Sequence, residues 1–364
     1  MKKTPLYDRH VSLGGKIVDF SGWGLPVYYT SILAEHQWTR SSCSFFDVSH
    51  LGEIEVSGPK AFSFLQKRLT CDIAKGQKGS GIVYGILCDE KGNALDDVLV
   101  YVGEKDDYHI IVNAANIERD FSEFKKYATA GVSIANHSDD MACIAVQGPK
   151  SEDILEKLFG LQLKGMRYYS FRADMIDGNR VWLSRSGYTG EDGFEIFTPN
   201  QNIGPIWDKL TKEGRALGAL PAGLGARNTL RLEAGNPLYG HELDERTTPV
   251  EAGLRFALSF TKGDFIGRTR LLEQKEKGTQ KHLVGFKMMD RSIPRDGYAV
   301  MSGGEKIGHV TSGSFAPTVG GGIGMAFVAS GFESVGSKLG IEIHGRVAEA
   351  EVVKRPFVAL NHRK

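Results

Sequence analysis

Two adjacent aspartates, Asp96 and Asp97, interrupt an apolar run, Ala94-Leu-Asp-Asp-Val-Leu-Val-Tyr101. Aspartate is disfavoured in strands, and a carboxylate among apolar neighbours costs free energy unless it has a partner or a task. A period of two puts Asp97 on one face with Leu99 and Tyr101, and Asp96 on the other. Spacing alone does not choose between them, although Asp96 reads most simply as an acid that ends the preceding turn and stays in water. A second acid, Glu195, follows the glycine-rich loop Ser184-Arg-Ser-Gly-Tyr-Thr-Gly-Glu-Asp-Gly-Phe-Glu195 and lies among Phe194, Ile196 and Phe197. It is either a hydrogen-bond acceptor for a heterocycle or an acid on the solvent face of an edge strand. A cation, Arg227, ends Gly223-Leu-Gly-Ala-Arg227, in the first turn of an expected helix. The helix dipole disfavours a cation there by about 0.3–1 kcal/mol when exposed. An anion bound at the helix start would explain the placement; so would an internal acid paired with it.

Other chemistries lack their residues. Gly223-Leu-Gly225 and Gly320-Gly-Gly-Ile-Gly324 complete neither a dinucleotide fingerprint nor a Walker loop. His241-Glu242 has no second histidine for a zincin, and no Gly-x-Ser-x-Gly elbow occurs. Cys43, Cys71, Cys88 and Cys143 have neither metal-ligand nor redox spacing. They read as small buried thiols in a reducing compartment, and no metal is expected.

The elements that position these residues show an internal repeat. Glu53-Ile-Glu-Val-Ser-Gly-Pro-Lys60 and Cys143-Ile-Ala-Val-Gln-Gly-Pro-Lys150 each read as strand, Gly-Pro-Lys and helix, the helices over 60–69 and 150–159 with proline at the first helical position. Further on, the segments 106–117 and 192–203 echo each other as hairpin ends that lead into helices. Together they predict a duplicated α+β module. Residues 226–234 read as a short helix stopped by Gly235, and Thr248-Pro-Val-Glu251 as a capping box. After Gln280 the chain turns to short alternating strands, predicting a β-barrel or roll that closes the site.

Composition sets the class. The 364 residues carry 45 Lys+Arg against 44 Asp+Glu, a formal charge of +1, so no basic field argues for nucleic acid. No apolar run is long enough to span a bilayer. The first twenty residues have no apolar core for a secretory signal, and the chain reads as cytoplasmic.

These segments, with Thr4-Pro-Leu-Tyr-Asp8, Phe46-Asp-Val-Ser-His-Leu-Gly-Glu53, Val112-Asn-Ala-Ala-Asn116, Arg231-Leu-Glu-Ala-Gly235, Pro237-Leu-Tyr-Gly240, Thr311-Ser-Gly313 and Arg355-Pro-Phe357, resemble the aminomethyltransferase family, the T-protein of the glycine cleavage system. The resemblance runs in order from about residue 4 to 358. It implies a three-domain cloverleaf around a central folate site: domain one from 1–50 and 138–270, domain two from 51–137, and a β-rich domain from 280–364. The implied reaction moves the methylene of an aminomethyl group, carried on the lipoyl arm of H-protein, to tetrahydrofolate. The products are methylenetetrahydrofolate, ammonia and dihydrolipoyl H-protein. By the same resemblance Asp97 is the catalytic acid, Glu195 and Arg227 bind folate, and Tyr84, Tyr101, Asn113 and Tyr188 line the pocket.

The chain departs from the commonest family pattern at Gly24-Leu25, Leu51, Cys71 and Asn228. The first three are expected to affect packing or surface detail, and Asn228 to remove a charge beside Arg227. Two relatives of different activity stay open. A folate-binding assembly factor for iron–sulfur enzymes carries a Lys-Gly-Cys-Tyr-x-Gly-Gln-Glu segment, which is absent here. A folate-dependent demethylase is not dismissed by fold.

Overall fold

The repeated strand–Gly-Pro-Lys–helix unit folds twice in the same way. In this computed structural model, which describes residues 1–76, 81–104 and 106–362, the strands Gly52–Ser57 and Met141–Gln147 each run into a glycine with positive φ, Gly58 (108°) and Gly148 (131°). A Cβ at Gly148 would lie 2.4 Å from the Ser42 carbonyl oxygen, so the turn admits only glycine. The helices that follow are Ala61–Arg68 and Ser151–Phe159, with Lys60 and Lys150 at the N-caps. Pro59 and Pro149 therefore stand one residue before the cap, outside the helix and not at its first position. There they keep the preceding glycine out of the right-handed helical region.

The duplication extends to whole sheets. One has the order Ile82–Cys88, Ala94–Val102, Asp107–Val112, Gly52–Ser57, Ser133–Asn136. The other has the order Ser170–Ile176, Asn179–Arg185, Gly193–Pro199, Met141–Gln147, Cys43–Asp47, with Ala219–Pro221 added in parallel at its edge. Four strands of each sheet correspond in chain order and position. The fifth place is taken by Ser133–Asn136, which ends its unit, and by Cys43–Asp47, which precedes its unit, and each neighbouring pair of the five is antiparallel. One face of each sheet carries helices. Val98, Val100 and Val102 pack against Leu65, Phe64 and Phe124 in the first unit; Ile144, Val146 and Ile196 pack against Leu155, Ile206 and Trp207 in the second. Each such side chain contributes about 1.5–3 kcal/mol by leaving water.

The remaining faces of the two sheets meet. Ile82, Tyr101 and Ile111 from one pack against Cys143, Ala145, Phe171 and Phe197 from the other. Ala226 and Leu230 of the helix Leu224–Glu233 join that contact. This helix stops where expected, with Gly235 at φ 71° just beyond it. Its opposite side gives Leu232 to a cluster with Leu283, Met325 and Phe327 of the C-terminal unit.

That C-terminal unit is a closed six-stranded barrel, in the order Lys281–Met288, Gly321–Ala329, Glu305–Ala316, Ala299–Ser302, Lys338–Ile343, Arg346–Val353. Closure leaves no strand edge unpaired. The short strand Ala299–Ser302 escaped the sequence reading. The Thr248–Glu251 capping box does form, with Thr248 N–H donating to Glu251 Oε2 at 2.9 Å and Glu251 N–H to Thr248 Oγ1 at 3.2 Å. Only a single turn follows it, because Gly253 (φ 73°) reverses the chain at once. All four cysteines are buried and unpaired. Of the basic C-terminal residues, Arg355 is half-buried against Gly285 and Met325, while Arg363 and Lys364 lie outside the described residues. Among the described residues no helix is long and apolar enough to cross a membrane.

Candidate functional site

The two facing sheets do not close everywhere. Beside the Ala94–Val102 strand a cavity of ≈ 240 Å³ remains, walled on one side by Asp97, Leu99 and the 113–115 segment. Ser186–Tyr188, Glu195 and Phe197 form the other side, and Arg227 projects into it from the first turns of its helix. The alternation read from the sequence holds: Asp97 and Leu99 face the cavity, and Tyr101 faces the same inter-sheet contact deeper in.

Asp97 accepts hydrogen bonds from Tyr84 Oη–H at 3.0 Å and from Asn113 Nδ2–H at 2.9 Å, one on each oxygen. Burial and the neighbouring Asp96 charge push its carboxyl up to about 7, against the pull of those two bonds. A carboxyl poised there exchanges protons readily at neutral pH. Asp96 is not in water. It is 0 % exposed on the opposite face, among donors from the 113–116 segment. The sequence misjudged it because nothing local shows that Asn113 and Asn116 fold back over it.

Glu195 is 6 % exposed and lies on a central strand, so the edge-strand alternative does not apply. Its Oε2 accepts from Ser186 Oγ–H at 2.5 Å and from Tyr101 Oη–H at 3.4 Å. Among the described residues no donor reaches Oε1, which leaves that oxygen for a ligand N–H. Tyr101, expected on the pocket wall, is 1 % exposed and stands behind Glu195, where its hydroxyl also donates to Ser184 Oγ at 3.2 Å.

Arg227 lies over the Tyr188 ring at 4.7 Å. The Tyr188 hydroxyl in turn is tied to the Pro237 carbonyl. Among the described residues no carboxylate pairs with Arg227, and burial lowers the guanidinium's hold on its proton. The internal ion pair weighed above is therefore absent. A desolvated cation with a bare side toward a cavity is a built anion site. His50, on the same wall, is pushed down to about 4 by burial and by the Arg227 charge; it is neutral and its Nδ1 finds no partner.

The structure thus brings Asp97, Tyr84, Asn113, Glu195, Arg227 and Tyr188 to one cavity and places Tyr101 one layer back. Several wall residues went unread. Tyr168 and Tyr169 form a tandem whose second member has a left-handed φ of 59°, a strain that propensity does not foretell. Phe256 is 75 % exposed and stacks on Tyr84 at 5.6 Å, at the cavity mouth. Leu51, expected to matter only for packing, is part of the wall as well. Asn228 points to solvent and accepts from Arg231 Nε–H at 2.8 Å, so it stands apart from the Arg227 site. Among the described residues no group of three or more potential metal ligands converges.

Comparison with known proteins agrees over the whole chain. A family profile described as the GCVT N-terminal domain matches residues 6–262, and one described as the glycine cleavage T-protein C-terminal barrel domain matches residues 281–359. An aminomethyltransferase of Thermoanaerobacter sp. is 45% identical over 366 residues, covering 100% of this chain and 99% of the relative. That of Bacillus subtilis is 43% identical over 360 residues, covering 98% and 99%. The crystal structure of glycine cleavage system aminomethyltransferase T from Bartonella henselae superposes with a TM-score of 0.94 at 32% identity, covering 100% of this chain and 99% of that one.

Proposed function

The chain belongs to the aminomethyltransferase family of the glycine cleavage system, and from that membership we propose that it works in the cytoplasm, taking the methylene of an aminomethyl-lipoyl arm on H-protein and passing it to tetrahydrofolate. In balance, the carbon–sulfur and carbon–nitrogen bonds of the aminomethyl thioether break. The carbon joins two folate nitrogens, whose two protons leave with the thiol and the ammonia. The folate fits the cavity on three counts: flat aromatic walls for a ring system, the unsatisfied Glu195 Oε1 for its N–H groups, and the uncompensated Arg227 for an anionic or polar oxygen. Tetrahydrofolate supplies the two nucleophilic nitrogens and the lipoyl arm the carbon and both leaving groups; the chain binds, orients and moves protons.

In this reading Asp97 takes the proton that the attacking nitrogen sheds, and Tyr84 and Asn113 hold its two oxygens in line. Glu195 fixes the orientation of the heterocycle from the opposite wall, backed by Ser186 and Tyr101. Arg227 anchors the ligand, with Tyr188 keeping the guanidinium in place. The observation that carries the reading is the convergence of one acid near neutrality, one half-satisfied carboxylate and one unpaired cation on a single cavity. Ammonia release from aminomethyl-lipoyl H-protein, followed with and without tetrahydrofolate, tests it. Fast release only with the folate is expected. Release indifferent to folate would remove tetrahydrofolate as the acceptor; turnover confined to a small methylated amine or thioether would replace this reading by the demethylase; folate binding with no release at all, by the assembly factor.

A further inference from the structure

The far face of the Ala94–Val102 strand holds an acid that this chemistry does not use. Asp96 accepts three hydrogen bonds: from the Asn113 backbone N–H at 3.0 Å, from Asn113 Nδ2–H at 2.8 Å and from Asn116 Nδ2–H at 2.6 Å. Toward these amides Asp96 acts only as an acceptor. The same Asn113 amide nitrogen lies 2.9 Å from Asp97 Oδ1. One side-chain amide, with two protons, thus spans two carboxyls that point to opposite faces of one strand. Behind Asp96, fully buried Asp120 of the helix Ile117–Tyr127 has its Oδ1 3.6 Å from Arg119 Nε. Burial and the Asp96 charge drive the Asp120 carboxyl far above the usual range, so Asp120 is the neutral member of that pair.

We propose that Asp96 is a positioning residue for the reaction: it clamps the Asn113 amide onto Asp97 across the strand and so fixes the direction and the surroundings of the Asp97 carboxyl. Of the other groups facing this pair, Tyr84, Tyr169, Tyr188 and Tyr239 have hydroxyls pushed upward by burial and remain neutral, whereas Asp120, freed of the Asp96 charge in Asp96→Asn, moves down and is followed in the same titration. The kinetic part of the proposal rests on Asp97 being the reacting acid; the clamp itself does not.

The test is a carboxyl-carbon NMR titration of the ligand-free full chain labelled at aspartate, with Asp97→Asn identifying the Asp97 signal. Asp96→Asn removes the like charge and should move the Asp97 midpoint down by roughly one pH unit or more. Asn113→Ala removes a donor from ionised Asp97 and should move it up, while its backbone N–H still reaches Asp96. Opposite shifts, followed by the acid limb of the pH–rate profile for folate-dependent ammonia release, support the proposal. An Asp96 that only fills space would lower the melting temperature and leave the Asp97 midpoint unmoved, which overturns it. If Asp96→Asn does not fold, an unmoved midpoint in Asn113→Ala is sufficient to overturn it. A titration shift that the rate profile ignores also overturns the positioning role, whereas a wild type that titrates as expected but releases no ammonia sinks only the proposed function.

Discussion

Asp97 is in conflict with its surroundings, and the conflict is measurable. Its folded-state value, about 7, lies above that of an unfolded aspartate. For an acid raised in this way the folded state binds the extra proton, so its contribution is fully present below about pH 4 and is lost as pH rises to 7. Asp97→Asn removes that loss. The ligand-free variant should melt higher than wild type at pH 8, and the gain should vanish on titration toward pH 4, while turnover collapses. A variant that melts lower at both pH values would show that the carboxylate supports the fold. The two folate-binding candidates should behave differently from each other. Arg227 has no carboxylate to abandon, so Arg227→Ala should leave ligand-free stability nearly unchanged. It should weaken folate roughly 10- to 150-fold, the equivalent of about 1.5–3 kcal/mol for a charged hydrogen bond. Glu195→Ala should weaken folate too, but it also takes an acceptor from the buried Ser186 and Tyr101 hydroxyls, which keep only Ser184 Oγ. A further loss of about 1–3 kcal/mol in ligand-free stability is expected by denaturant unfolding. Equal apo stabilities for the two variants would contradict this difference.

At the scale of elements, the turn that joins strand to helix is the part the sequence announced most clearly. Gly-Pro-Lys marks it in both copies, and Gly148 has both a positive φ and a backbone oxygen where a Cβ would go. Gly148→Ala should therefore destabilise by more than ~2 kcal/mol, strain and clash together. Urea unfolding checks it, and a loss near zero would mean that the turn can shift. The same strand-and-turn logic made the α+β repeat, five of the six barrel strands and the alternation of Asp97 with Leu99 readable. What failed was long-range. Asp96 was assigned to water because its shielding residues, Asn113 and Asn116, arrive from the end of another strand. Tyr101 was assigned to the cavity by the family resemblance, and the period of two agreed because it gives the face and not the depth along it. Ala299–Ser302 has four residues and no alternation long enough to register, so only barrel closure reveals it. Six of the seven candidate residues reach the cavity because each was flagged by a local anomaly or by family resemblance. Tyr168, Tyr169 and Phe256 carried neither flag.

For the whole molecule, the barrel acts on the site through the helix it packs on. Among the described residues none beyond Phe256 lines the cavity; the C-terminal unit meets it from behind, His362 stacking on the wall residue Tyr168 at 4.2 Å, and its barrel packs on the helix that carries Arg227. The brace centres on Glu233, fully buried at the end of that helix. Its carboxylate meets His36 Nε2 at 3.1 Å, Arg40 Nη2 at 3.0 Å and the backbone N–H of Thr318 at 2.8 Å, and its carbonyl accepts from Phe357 N–H. Arg231 of the same helix reaches Glu242 and Ser312. Burial works against the Glu233 charge, but these donors prevail and hold its carboxyl below the usual range. For an acid lowered in this way the stabilisation is present above the unfolded value, about 4.3, and is lost as pH falls through the folded one. Acid should therefore loosen the barrel from the body before either sheet pair unfolds. Glu233→Gln should impose the same loosening at pH 7, since it replaces charged hydrogen bonds worth roughly 1.5–3 kcal/mol each by neutral ones. Hydrogen exchange should then quicken in both the Leu224–Glu233 helix and the Glu305–Ala316 strand, and folate affinity should fall because Arg227 loses its fixed direction. If exchange quickens only in the barrel while folate binds as before, the helix holds its position without the brace, and the C-terminal domain's contribution to this site must be sought elsewhere.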